Sequence, residues 1–187
     1  HGAHFGFHPA FPPSSVRAGA DLVIHGLHKT LPSLTQTALL HNCSERIDSE
    51  HLQRFLRIFQ STSPSYLLMA GIETCLDLVR GQGDGLFAEF MKMRGRLVDR
   101  IGQLKHIRLA PLVDDPCKLV IVGKDCVLDG PSLMQTLHDR YHLEMEKAEQ
   151  HYVLAIITIM DKEEGLERLA AALTEIDREL QRQSVNS

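Results

Sequence analysis

Gly19-Ala20-Asp21-Leu22-Val23-Ile24-His25-Gly26-Leu27-His28-Lys29-Thr30 is the stretch whose reading decides the fold. Its apolar run, Leu22 to Ile24, predicts a short buried strand that ends in Gly26. A His-Lys pair and Thr30 follow. A lysine just past a buried strand end sits where α/β sheets gather their chemistry. Partial desolvation lowers a lysine's pKa and frees amine to attack a carbonyl. An internal Schiff base to pyridoxal phosphate (PLP) requires such an amine. On spacing alone the plainer reading, a solvated surface lysine, outweighs this one, because a lone His-Lys dipeptide carries little specificity.

Around this stretch the composition is that of an ordinary soluble globular protein: 187 residues, 43% hydrophobic and 24% charged. That length suffices for one good core or two small ones. The net charge of −4 gives no nucleic-acid footprint. No apolar run approaches membrane-spanning length, and no stretch reads as a signal peptide. Cys43, Cys75, Cys117 and Cys126 include no Cys-x-x-Cys pair. They read as reduced thiols in a cytoplasmic protein, not as a disulfide framework or zinc site.

His1 to Ala20, rich in Gly, Pro, Phe and His, predicts loop. Strands are expected at Asp21 to Ile24 and Thr37 to His41. Leu52, Phe55, Leu56 and Phe59 have helical spacing, with Ser49 as a plausible N-cap. Ser63 then Pro64 reads as an N-cap with proline at the first position of a helix to about Arg80. Gly81-Gln82-Gly83-Asp84-Gly85 predicts a break. A second long helix follows, Leu86 to Lys105, with Phe87, Phe90, Met91, Leu97, Val98, Ile101 and Leu104 as most of its inner stripe. After Lys105 the character changes. Strands at 107–109, 118–122 and 152–159 alternate with helices at 131–141 and 163–183, as in a small α/β layer domain. The expected division is 1–105 and 106–187, with the long helix as a bridge. Residues 181–187 read as frayed.

Taken in order, four elements carry more than the dipeptide does. They are His1-Gly2-Ala3-His4-Phe5-Gly6-Phe7, Gly19-Ala20-Asp21, His25-Gly26-Leu27-His28-Lys29-Thr30-Leu31-Pro32-Ser33-Leu34-Thr35-Gln36 and Ser61-Thr62-Ser63-Pro64-Ser65-Tyr66. From His1 to about Leu173 the series resembles the Orn/Lys/Arg decarboxylase family, PLP enzymes of the aspartate aminotransferase fold (fold type I). The resemblance implies an α/β chain: the end of a PLP-dependent transferase-like large domain, then a small α/β C-terminal domain. It implies PLP-dependent decarboxylation of lysine, ornithine or arginine, and a place in polyamine metabolism.

Residue by residue, the resemblance implies that Lys29 is the Schiff-base lysine and that it helps return a proton at the α-carbon. His28 positions the substrate carboxylate or delivers a proton; the plainer alternative is a packed histidine bonded to backbone. His1 matches a histidine that contacts the cofactor's phenolic oxygen. Ser61 and Thr62 reach the phosphate of a neighbouring subunit's PLP, so a homodimer or higher homo-oligomer is expected; their plainer alternative is helix capping. Glu146, within Glu144-Met145-Glu146-Lys147, is expected to face the substrate's distal cation; otherwise this is a solvated strand edge. Where the family commonly has a phosphate-binding serine, this chain has Gly26, which offers only its backbone N–H. His1, His4 and His8 give no metal site, because Gly and Pro around them leave no helix to align them.

Of the family's Asp-x-Ala-His element only the last residue, His1, is present. The chain therefore reads as a C-terminal fragment whose partner is the missing N-terminal half of the enzyme. Two other readings stand beside this one. One is a different fold-type-I activity, such as an aminotransferase. The other is an inactive structural or dimerising fragment.

Overall fold

In a computed structural model, residues 2–111, 113–124 and 128–186 are described. Cys126 and His1 lie outside them. Two compact units divide between Phe87 and Ala88.

The first unit holds strands β1 (Leu22–Gly26) and β2 (Ala38–Asn42), helix α1 (Ser49–Phe59) and the first part of helix α2 (Tyr66–Gly102). The two strands pair antiparallel, with Val23 opposite His41 and His25 opposite Leu39. Side chains alternate across a strand, and the burial follows. Val23 and His25 are buried, whereas Leu22 and Ile24 are exposed. The fully buried strand expected from the apolar run is thus a half-buried one, covered on a single face among the described residues. The N-terminal turns pack on α2: the Phe7 ring stacks on Phe87 at 5.5 Å, and Phe11 meets Phe87 edge-on at 5.4 Å.

α1 begins one residue past its cap. The Asp48 carboxylate accepts from the backbone N–H groups of Glu50 and His51, so Asp48 rather than Ser49 caps it. Such a cap contributes about 1 kcal/mol. α1 buries no residue completely, and Phe55, Ile58 and Phe59 on it are exposed.

Two expectations about α2 are corrected. It starts at Tyr66 and not at Pro64, with the Ser65 hydroxyl accepting from Leu68 N–H. It also runs unbroken through Gly81 to Gly85. Each helical glycine costs up to about 1 kcal/mol relative to alanine. Packing outweighs that cost here: Cys75, Val79, Gly83 and Phe87, four residues apart, form one buried stripe. A Cβ at Gly83 would make only ordinary contact, 3.4 Å, with Val79 Cγ1 on the preceding turn.

The second unit is an antiparallel sheet of β3 (Ile107–Leu109), β4 (Lys118–Gly123), β5 (Lys147–Glu149) and β6 (Tyr152–Ile156), in the order β3-β4-β6-β5. Helices α3 (Gly130–Tyr141) and α4 (Glu163–Asn186) accompany it. Leu119, Ile121, Val153 and Ala155 fill the inner face of the sheet. Leu166, Leu169, Ala170, Leu173 and Ile176 form the buried stripe of α4 at helical spacing. That helix continues to Asn186 through the segment expected to fray.

Polar groups in this unit are well matched. Buried Asp177 on α4 accepts from the backbone N–H groups of Lys105, His106 and Ile107, at 3.1, 2.7 and 3.0 Å. Burial pushes its carboxyl up, but these bonds and the Gln181 amide outweigh it and hold the pKa below the usual value. Asp115 accepts from Cys117 N–H and pairs with Lys118 at 2.8 Å. Burial first, then the Asp115 charge, pushes the Cys117 thiol up to about 12, so it stays protonated and inert. At the start of α3, a Cβ on Gly130 would run into the carbonyl oxygens of Glu149 and Tyr152. The helix therefore meets the β5–β6 turn backbone to backbone.

Candidate active site

β1 ends in Gly26 and passes into a single 3₁₀ turn, Leu27–Lys29. Leu27 anchors that turn: it is buried, and its N–H donates to the Thr37 carbonyl at 3.1 Å. The same carbonyl accepts from His28 Nδ1 at 3.0 Å. A carbonyl only accepts, so Nδ1 carries a proton and the neutral ring keeps its lone pair on Nε2. Thr37 is itself fixed: its hydroxyl lies 2.7 Å from both Ser33 Oγ and the Leu34 carbonyl. Thr30, just past the turn, is buried, and its hydroxyl meets His4 Nδ1 at 2.8 Å. His4 is thus engaged as a structural partner of the turn.

Lys29 itself is exposed. The partial desolvation expected of it is not supplied by the residues around it here. The space beside it is open on the Gly26 side, where a Cβ would stand 3.6 Å from Lys29 Cγ and 4.0 Å from His28 Cε1. Gly26 has φ −75° and ψ 101°, which any L residue adopts. An accessible primary amine at a strand end, beside an imidazole with a free lone pair, fits an aldehyde cofactor such as PLP.

The remaining predicted residues lie apart in sequence and in element. Ser61 and Thr62 are exposed in the segment between α1 and α2. Ser61 Oγ accepts from Ser63 N–H and donates to the Ser63 carbonyl, both at 3.1 Å. They do not cap α2. They line an open groove of about 630 Å³ with Arg57 and Gln60. Arg57 had no motif to mark it; its signal was a position four residues before Ser61 on the helix that ends there. Glu146 is exposed in the second unit, just before β5, and its N–H donates to the Leu154 carbonyl. Nearby, His138 touches Asp139 at 2.7 Å and Glu144 at 3.1 Å. The bond to Asp139 first, then the Glu144 charge, raises the His138 pKa. His1 lies outside the described residues.

Known proteins resemble this chain in sequence and in fold. An arginine decarboxylase of Bacillus subtilis is 31% identical over 99% of this chain, and one of Bacillus cereus is 28% identical over 94% of it. This chain spans 40% of the length of each. Among solved structures, a lysine decarboxylase of Francisella novicida aligns with a TM-score of 0.72 at 17% identity, over 84% of this chain and 28% of its own. The constitutive lysine decarboxylase of E. coli gives 0.71 at 20%, with the same coverage. An alanine–glyoxylate aminotransferase from Nostoc sp. gives 0.61 at 15%, over 89% of this chain and 51% of its own. The α/β fold is the one these decarboxylases share with the aminotransferase. The family described as Orn/Lys/Arg decarboxylase, major domain, matches residues 1–154. With more than four-fifths of its residues inside that match, the chain belongs to the Orn/Lys/Arg decarboxylase family.

Proposed function

We propose that this chain carries part of the active site of a PLP-dependent decarboxylase of arginine, lysine or ornithine. The carrying observation is the turn at the end of β1, where accessible Lys29 follows a His28 ring pinned through Nδ1 to the Thr37 carbonyl. PLP, when bound, supplies the sink for the electron pair left as the substrate carboxylate departs as CO2. Lys29 Nζ would hold the aldehyde carbon of the cofactor; when not so engaged, the same nitrogen, as its ammonium, would donate the proton that takes the place of CO2 at the α-carbon. His28 Nε2, with its lone pair turned away from Thr37, accepts or relays a proton beside the leaving carboxylate.

Ser61, Thr62 and Arg57 provide hydroxyls and a guanidinium suited to a phosphate. In this reading the phosphate belongs to a neighbouring subunit's cofactor. The exposure of Phe55, Ile58, Phe59, Tyr66, Leu67 and Met69 around that segment supports a subunit interface there. Glu146 is assigned to the distal cation of the substrate, in line with its exposed carboxylate. The division of the chain near residue 106 is kept as the boundary between a PLP-binding domain and a small C-terminal domain. Nothing in the described helices is long and apolar enough to cross a membrane, in keeping with a cytoplasmic enzyme.

Borohydride reduction of the PLP-treated protein at its full natural length, followed by peptide mapping, tests the assignment. The pyridoxyl label is expected on Lys29. CO2 release from arginine, lysine and ornithine then ranks the substrates. A label on Lys92 instead, or keto acid formed without CO2, overturns the reading.

A further inference from the structure

The turn that carries His28 and Lys29 is held from a second loop, residues 33–37. Thr37, at the end of that loop, is buried. Its carbonyl accepts from two donors, Leu27 N–H at 3.1 Å and His28 Nδ1–H at 3.0 Å. The first bond is one more rung beyond the β1–β2 ladder, whose last pair is Gly26 with Ala38. The second is aimed at one atom of one side chain. The rest of Thr37 is tied back to its own loop. Its N–H donates to the Leu34 carbonyl at 3.2 Å, and its hydroxyl lies 2.7 Å from that carbonyl and from Ser33 Oγ. A hydroxyl has one proton and a carbonyl only accepts, so the Thr37 hydroxyl donates to Leu34 and accepts from Ser33. Between Leu34 and Thr37 the chain closes a tight turn, and its third residue, Gln36, has φ 77°. That left-handed conformation favours glycine and is strained for a residue with a Cβ. The two bonds of the Thr37 hydroxyl hold the closing residue of this strained turn in place.

The consequence falls on His28. A free neutral histidine favours the form with its proton on Nε2, and the hydrogen bond made by one ring nitrogen decides which form a protein keeps. The Thr37 carbonyl selects Nδ1–H, the form that is otherwise disfavoured. With that proton committed, Nε2 carries the lone pair, and the neutral ring presents an acceptor beside Lys29. If the carbonyl swings away as the Leu34–Thr37 turn relaxes, the ring returns to Nε2–H and presents a donor there instead. The side chain of Thr37 is buried among its own loop partners, so its influence on the site passes through the His28 ring.

We propose that Thr37 is a positioning residue for His28: its buried hydroxyl, bonded to Ser33 and Leu34, fixes the carbonyl that keeps the His28 proton on Nδ1 and leaves Nε2 as the acceptor beside Lys29. This role rests on the reading of Lys29 and His28 as the catalytic pair, but its test does not require turnover. Solid-state NMR of the protein at its full natural length, with isotope-labelled histidine, reads which ring nitrogen carries the proton at about pH 8.5, above the ordinary histidine range. His28→Gln identifies the His28 signal by difference. The unaltered protein is expected to hold His28 in the Nδ1–H form. Thr37→Val, which keeps the branched side chain and loses the hydroxyl, should move about half or more of it to Nε2–H, and Thr37→Ser should restore Nδ1–H. In parallel, kcat for CO2 release should fall about tenfold in Thr37→Val, with KM changed by less than about twofold. Ser33→Ala removes one of the two hydroxyl bonds and should shift a smaller share, which keeps the test open if Thr37→Val does not fold. Nε2–H on His28 in the unaltered protein, or no shift in either variant, overturns the proposal. A shift as expected, with the borohydride label on a lysine other than Lys29, upholds the hold of Thr37 on His28 and sinks the catalytic reading instead.

Discussion

The two units are made from similar residues to very different finish. In the second, buried carboxylates are matched to backbone donors, and helix α3 packs against strands β5 and β6. In the first, a two-stranded hairpin leaves Leu22 and Ile24 exposed, α1 buries nothing completely, and two ring nitrogens are unpaired. Among the described residues, every large apolar side chain that is exposed lies in the first unit, except Met160. The residues proposed for catalysis, Lys29 and His28, are in that same unit. On the proposed assignment, the Schiff-base lysine and its histidine sit where the fold is least self-contained, as expected of surfaces that must remain open to what completes a site.

The sharpest way to break the comparison is to separate activity from stability. Lys29→Ala should lower decarboxylation by at least about 10³-fold, yet leave thermal unfolding within about 0.5 kcal/mol, because Lys29 is exposed. A large loss of stability in calorimetry would show that Lys29 is a structural residue.

Asp177→Ala is the converse. It strands three backbone N–H groups at the start of β3 and should cost about 2–4 kcal/mol in urea unfolding, with the effect centred on the second unit. A cost below 1 kcal/mol would place the order of that unit elsewhere.

Acid should separate the units by window. The folded pKa of His25 lies below 6.5. As pH falls through 6.5 the unfolded chain takes up a proton that the folded one refuses, so the first unit loses stability, by up to about 1.4 kcal/mol per pH unit. The folded pKa of Asp177 lies below 3.8, so its contribution is present above 3.8 and is lost as pH falls through the folded value. Amide exchange followed from pH 7.5 to 3 should show the first unit loosening first. The opposite order contradicts these assignments.

The smallest effect is expected at Gly26→Ser. The backbone angles there suit serine, and its Cβ finds ordinary contact with Lys29. Stability should move by less than about 0.5 kcal/mol, while PLP dissociates more slowly because a hydroxyl is restored beside the cofactor. Faster dissociation, followed by absorbance, would place the phosphate elsewhere.

Much of this was legible in the sequence. The strands at 107–109 and 118–122, the helix at 131–141 and the two strands near 21–24 and 37–41 follow from local periodicity and turn residues, and the motifs marked the family; that the last two strands pair as a hairpin did not follow from them. Other features depend on tertiary facts that no local pattern holds. The glycines at 81, 83 and 85 signal a break, but burial of Val79, Gly83 and Phe87 along one face keeps the helix whole. The apolar run in β1 signals full burial, yet one side of the hairpin is bare. The His25–His41 pair escaped notice because strand register, not spacing in the chain, brings the two rings to a common surface; Arg57 had only its place four residues before Ser61 and no motif to mark it.

Gly130 has an evolutionary consequence. Its hydrogen stands where any side chain would meet the carbonyl oxygens of Glu149 and Tyr152. Every missense change in that codon must move α3 off the β5–β6 turn or be lost with the fold. Gly26 stands under no such bar, since serine fits there without displacing its neighbours. Across descendants of this chain, position 26 is therefore free to regain a hydroxyl by drift, whereas position 130 is held to one residue by its neighbours' backbone.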